Sequence, residues 1–134
     1  MIIGLGTGRC GTRSLSRLLS GQPGMTVLHE GMLGGHPHPF RWEGDRDRVL
    51  AWIDGLPDLL GRPACCGDVG MYFLPYCEAL IASRPEIRFV CIERDRAAVV
   101  ESFVRHLPDR HPWLRHDGRR WRIDPVWDAA YPKF

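Results

Sequence analysis

The chain has 134 residues, room for about one domain, and its 44% hydrophobic and 25% charged content excludes a disordered or low-complexity protein. A formal net charge of +2 is too small to mark a nucleic-acid or membrane binder by bulk charge. No stretch approaches the roughly 18 apolar residues that a membrane-spanning helix needs.

Met1 through Leu5 is a short apolar run closed by glycines, which reads as a buried strand. Gly6 to Gly11 is a tight loop. Leu15, Leu18 and Leu19 then recur at helical spacing within Thr12 to Ser20, and Gly21-Gln22-Pro23-Gly24 stops that helix. Met25 to His29 is a second strand. Gly31 to Glu43, rich in Gly, His and Pro, is a loop. Val49, Leu50, Ile53, Leu56 and Leu60 give Asp45 to Leu60 an apolar helical face, weakened toward its end by Gly55 and Pro57. Ala64 to Val69 is a third strand carrying Asp68 at its end. Tyr72 to Ser83 reads as a helix that tolerates Pro75 only in its first turn. Arg88 to Ile92, continuously apolar from Phe89, is the clearest strand. Arg96 to Leu107 is a helix with Val99, Val100, Phe103 and Val104 facing inward. Four alternations of strand and helix predict an α/β fold, a parallel sheet of about four strands with helices on both faces.

The periodicity fails after Pro108, where Arg110, Arg115, Arg119, Arg120 and Arg122 interleave with Trp113, Trp121 and Trp127. The expected organisation is a core over residues 1–107 and an irregular segment, 108–134, of the same domain. The abrupt end at Tyr131-Pro132-Lys133-Phe134 predicts that a C-terminal portion is missing. Met1 to Gly6 lacks the basic region and long apolar run of a secretory signal. The five cysteines, odd in number and in no CxxC pair, fit reduced thiols in a cytoplasmic protein. The six histidines lack zinc-ligand spacing, and His36-Pro37-His38-Pro39 reads as a stiff loop, so no metal is expected.

Chemistry concentrates in Gly6-Thr7-Gly8-Arg9-Cys10-Gly11-Thr12-Arg13-Ser14, between the first strand and the first helix. Glycines let successive N–H groups curl inward, the helix adds its positive N-terminal end, and hydroxyls and guanidinia complete a cradle for phosphate or sulfate. Seventeen of the eighteen basic residues are arginine, whose planar fork suits such oxyanions, although coding bias produces the same excess. A Walker A loop requires Gly-Lys before Ser or Thr, and here Thr12 follows Gly11 directly. A dinucleotide fingerprint matches as a string, GxGxxG over Gly6 to Gly11, with Glu30 placed for a ribose. A glycine-rich turn with no ligand is the bland reading. A second motif separates these: Arg94 and Asp95 end the fourth strand, Asp95 can cap the next helix, and Ser102 follows Arg94 by eight residues. At a rise of about 1.5 Å per residue, Ser102 stays within reach of the same anion.

These two stretches resemble the cofactor motifs of sulfotransferases that use 3′-phosphoadenosine 5′-phosphosulfate (PAPS), nearest their bacterial and carbohydrate-type branches, over about residues 2 to 107. The resemblance implies a P-loop-like three-layer fold and transfer of a sulfuryl group to a hydroxyl or amine of a small-molecule or carbohydrate acceptor, with no metal. It implies that Arg9 touches the bridging and sulfonate oxygens, where the family usually has lysine. Cys10, Gly11, Thr12, Arg13 and Ser14 would line the 5′-phosphate, and Arg94 and Ser102 the 3′-phosphate. Glu30 falls where the carbohydrate-type enzymes place the carboxylate that takes the acceptor's proton. His29 resembles the base of the cytosolic aryl and steroid type, and strand alternation points only one of the two into the cleft. The family's glycine-rich C-terminal segment has no counterpart before Phe134. The rival expectations are a nicotinamide-dependent oxidoreductase built on the GxGxxG and a catalytically inactive nucleotide-binding fragment. Asp68 is expected to orient the acceptor or the loop, or else to cap the segment that follows it.

Overall fold

The computed structural model of the chain describes residues 1–31, 40 and 45–106. Strands β1 (Ile2–Leu5), β2 (Met25–His29), β3 (Cys65–Val69) and β4 (Arg88–Cys91) alternate with helices α1 (Thr12–Ser20), α2 (Arg46–Leu59), α3 (Cys77–Ser83) and α4 (Arg96–His106). Every strand pairing is parallel, and the sheet order is β2-β3-β1-β4. The α/β architecture and four-strand parallel sheet expected from the alternation are thus present.

Register explains the layering. Ile3 and Leu28 both pair with Asp68, so these three side chains share one sheet face. Trp52 of α2 donates its indole N–H to Asp68, which puts α2 on that face. Here Ile3, Leu5, Leu28 and Cys66 pack against Val49, Ile53 and Leu56 of α2 and Phe73 and Leu80 beyond it. His29 points to the other face, where its ring meets Thr12 of α1. In the centre, Gly67 opposes Ile2, and a Cβ at Gly67 would lie 2.1 Å from the Ile2 carbonyl oxygen. That approach admits no side chain.

The buried residues of α1 are Thr12 and Ser16, while Leu18 is exposed. The reason is that β2 is an edge strand whose outer backbone groups need partners. The Ser16 hydroxyl donates to the Val27 carbonyl at 2.8 Å. Ser20 donates to the same oxygen and accepts from Val27 N–H, both at 2.9 Å.

Two expectations need correction. The helix expected from Tyr72 is a 3-10 segment, Met71–Tyr76, and α-helical geometry begins only at Cys77. Pro75 lacks an N–H and disfavours α geometry at Leu74, so the chain takes the tighter turn until the proline is passed. β4 is half-exposed, because among the described residues it forms the other edge of the sheet. On α4, Val100 (55%), Phe103 (43%) and Val104 (64%) are exposed rather than inward. Among the described residues, no helix is long and apolar enough to cross a membrane. Most of the expected loop at 31–43 and the segment 108–134 lie outside the described residues.

Candidate functional site

Parallel strands bring the loop after β1, the end of β2, Asp68 of β3 and Arg94 after β4 to one edge of the sheet. Open α/β sheets bind their ligands at this carboxyl edge.

The loop is held in an unusual conformation. Arg9 sits at φ +66° and Gly11 at φ +105°. A left-handed non-glycine residue costs roughly 1–2 kcal/mol, so Arg9 needs support. Arg94 supplies it: its Nη1 donates to the Arg9 carbonyl oxygen at 2.8 Å. Cys10 N–H closes the turn onto the Thr7 carbonyl at 3.2 Å, and the Cys10 thiol lies against the Thr7 hydroxyl. Arg9 in turn directs its Nε–H to the Ser102 hydroxyl at 3.2 Å. The structure therefore gathers Arg9, Arg94 and Ser102, separated by more than ninety positions from first to last, into one hydrogen-bonded group.

Two features of α4 make that possible. Asp95 Oδ1 accepts from Ala98 N–H at 2.9 Å, the N-cap expected of it, and sets where the helix starts. The Phe103 ring packs over Gly8, where an added Cβ would come within 3.0 Å of it. This seats α4 directly on the loop. At the start of α1, the Gly11 N-cap offers no side-chain acceptor to the first-turn N–H groups, and Arg13 and Ser14 are exposed beside them. Among the described residues, Arg9, Arg13 and Arg94 enter no ion pair, whereas Arg48, Arg62, Arg84 and Arg105 each hold a carboxylate.

A second group lies at the ends of β2 and β3. Glu30 follows β2 at φ +55° and Gly31 at φ +63°, so the chain leaves the pleat there. Strand alternation consequently stops applying at Glu30, and both His29 and Glu30 stand half-buried at the sheet edge. Asp68, 1% exposed, fixes this turn: Oδ1 accepts from Gly31 N–H at 3.2 Å and Oδ2 from the Trp52 indole at 3.1 Å. It does not cap the 3-10 segment, whose N-cap is Gly70.

Burial governs the charges in this group. It raises the Glu30 carboxyl above its ordinary pKa. It also raises Asp68, against the opposing effect of its hydrogen bonds from Gly31, Trp52 and the backbone. Tyr72, buried next to them, is pushed up to about 12 by desolvation and then by the Glu30 and Asp68 charges. His29 is lowered mainly by burial, with Asp68 raising it and Arg13 lowering it. Its Nε2 lies 3.0 Å from Thr12 Oγ1, joining this group to the anion loop.

Trp52 and Tyr72 were not legible as site residues in the sequence, since each reaches the site only through the packing of a neighbouring element on β3. Among the described residues, no three His, Cys, Asp or Glu side chains gather as metal ligands. No protein-family model, no curated protein and no solved structure matches the chain.

Proposed function

We propose that the chain is a sulfotransferase that binds PAPS across the carboxyl edge of its sheet and passes the sulfuryl group to an acceptor hydroxyl or amine. One observation carries this reading: Arg94, Arg9 and Ser102 form a contiguous donor group beside the glycine loop, with the cationic side chains free of carboxylates among the described residues. Two donor clusters, one at the α1 N-terminus and one at the α4 side, suit a nucleotide carrying anionic groups at both ribose positions.

The donor set fits such a molecule. Loop N–H groups, Thr12, Arg13 and Ser14 would hold the 5′-phosphate, while Arg94 and Ser102 would hold the 3′-phosphate. PAPS supplies an activated sulfuryl group, whose S–O bond to the 5′-phosphate breaks, leaving the electron pair on that phosphate. Arg9 places fixed positive charge beside the oxygen where negative charge grows. Glu30 takes the proton of the acceptor O–H or N–H as the new bond to sulfur forms. Its raised pKa makes it a stronger base than an exposed carboxylate. Asp68 holds the left-handed turn that presents Glu30. The P-loop-like layering belongs to the same proposal, as does an unidentified small-molecule or carbohydrate acceptor. Five unpaired cysteines support a reducing, cytoplasmic setting.

Strand order weighs against the nicotinamide reading. In the dinucleotide fold the strand bearing the ribose-binding acid neighbours β1. Here β3 intervenes between β1 and β2, so Glu30 stands one strand further from the loop. The test is thermal shift: adenosine 3′,5′-bisphosphate stabilises the protein and NAD does not. The opposite pattern overturns the sulfotransferase reading. Bisphosphate binding without sulfuryl transfer to any of a panel of hydroxyl and amine acceptors favours an inactive nucleotide-binding fragment.

A further inference from the structure

The hydrogen bond between Thr12 Oγ1 and His29 Nε2 assigns His29 a task other than proton abstraction. Thr12 is the first residue of α1, 7% exposed, directly after the loop, and the proposed function counts its hydroxyl among the 5′-phosphate donors. A hydroxyl can accept one hydrogen bond and donate another at the same time. A neutral imidazole carries its proton on one nitrogen only, and the partner of each nitrogen decides which.

We propose that His29 is a positioning residue of the anion loop: with its proton on Nε2 it donates to Thr12 Oγ1 and so turns the Thr12 hydroxyl proton toward the bound 5′-phosphate. This rests on the reading of the loop as the 5′-phosphate site. The distance of 3.0 Å suits a donor at either end. The two orientations differ in what they offer the ligand. With Nε2–H donating, Thr12 presents its proton to an anion. With Thr12 donating to Nε2, the hydroxyl presents lone pairs to the same anion and repels it. Only the first is compatible with a loop built of N–H groups and guanidinia. The same engagement removes Nε2 from acid–base work and leaves proton abstraction to Glu30, two residues that the sequence alone left as alternatives. The charged groups that act on His29 are Asp68, from the opposite sheet face, and Arg13 on α1, opposite in sign.

The test combines calorimetry and ring-nitrogen NMR, with adenosine 3′,5′-bisphosphate as the probe. His29→Ala and Thr12→Ala are each expected to weaken binding about fivefold, the size of one neutral hydrogen bond. The double variant should lose little more than either single one, because both break the same relay. His29→Gln, whose amide N–H can still donate, should stay within about twofold of the wild type. In the wild-type complex the His29 ring should be protonated at Nε2. Losses that multiply to about 25-fold in the double variant overturn the proposal, and so does a ring protonated at Nδ1 alone. If His29→Ala fails to fold, the His29→Gln affinity and the wild-type ring spectrum decide. Absence of bisphosphate binding by the wild type overturns the phosphate-site reading and this proposal together. Binding with independent losses overturns this proposal alone.

Discussion

Replacing Arg94 by alanine removes two things at once: the hydrogen bond from Nη1 to the Arg9 carbonyl and the positive charge offered to a 3′-phosphate. The side chain is exposed and belongs to no ion pair among the described residues, so its removal leaves no buried partner stranded. Losing the loop hydrogen bond costs about 0.5–1.5 kcal/mol of folding stability, enough to lower the melting temperature by a few degrees without unfolding the chain. The effect on ligand binding is larger, because in a hydrogen bond to an anion both partners are charged: about 1.5–3 kcal/mol, or roughly 10- to 150-fold in Kd. Arg94→Lys keeps the charge but cannot span the Arg9 carbonyl and a ligand with one planar group, so it should fall between the wild type and alanine. Calorimetric titration with adenosine 3′,5′-bisphosphate at two salt concentrations reads both variants. An Arg94→Ala affinity within about twofold of the wild type, with the fold intact, would refute the placement of the 3′-phosphate.

Glu30→Gln should leave bisphosphate affinity unchanged and lower kcat by about 100-fold or more, the contribution of a general base; equal losses in both would remove Glu30 from that role. In the wild type, turnover should rise with pH through the raised Glu30 pKa, above the usual carboxylate range, and this limb should vanish in the variant. Asp68 makes folding itself pH-dependent: because its folded pKa lies above the unfolded value, its contribution is complete below ordinary carboxylate pKa values and is lost as pH rises through the folded one. Chemical denaturation across that window should show the decline, and Asp68→Asn should flatten it. The same change sets an amide N–H₂ against the Gly31 or Trp52 donor, which costs about 1–3 kcal/mol. Gly11→Ala meets no atom within 4 Å, so its penalty is backbone strain alone at φ +105°. That is roughly 1–3 kcal/mol, visible as a lowered melting temperature; an unchanged value would contradict the loop conformation.

Local signals carried much of the architecture. Short, largely apolar runs marked all four strands, the first three of them bounded by glycine, and the alternation with amphipathic stretches dictated a parallel sheet. The loop and the Arg94–Ser102 pair were legible because strand ends and helix starts place residues at a known edge. What the sequence concealed depends on tertiary packing. Ser16 and Ser20 turn their side of α1 toward β2 because an edge strand needs polar partners, which hydrophobic periodicity cannot register. Trp52 joins the site across an α2–β3 contact that no spacing rule encodes. The left-handed conformation at Glu30, a residue type with no preference for it, broke the alternation that would have chosen between Glu30 and His29. The exposure of Phe103 and Val104 reversed an inward assignment made from apolar character alone.

The central claim is that this sheet edge recognises both ends of one nucleotide. The most direct measurement compares the Kd of adenosine 3′,5′-bisphosphate with that of adenosine 5′-monophosphate on the wild-type chain. Two phosphate sites predict that removing the 3′-phosphate weakens binding at least about tenfold, and that Arg94→Ala erases most of the difference. Equal affinities for the two nucleotides, or a difference untouched by Arg94→Ala, would contradict it.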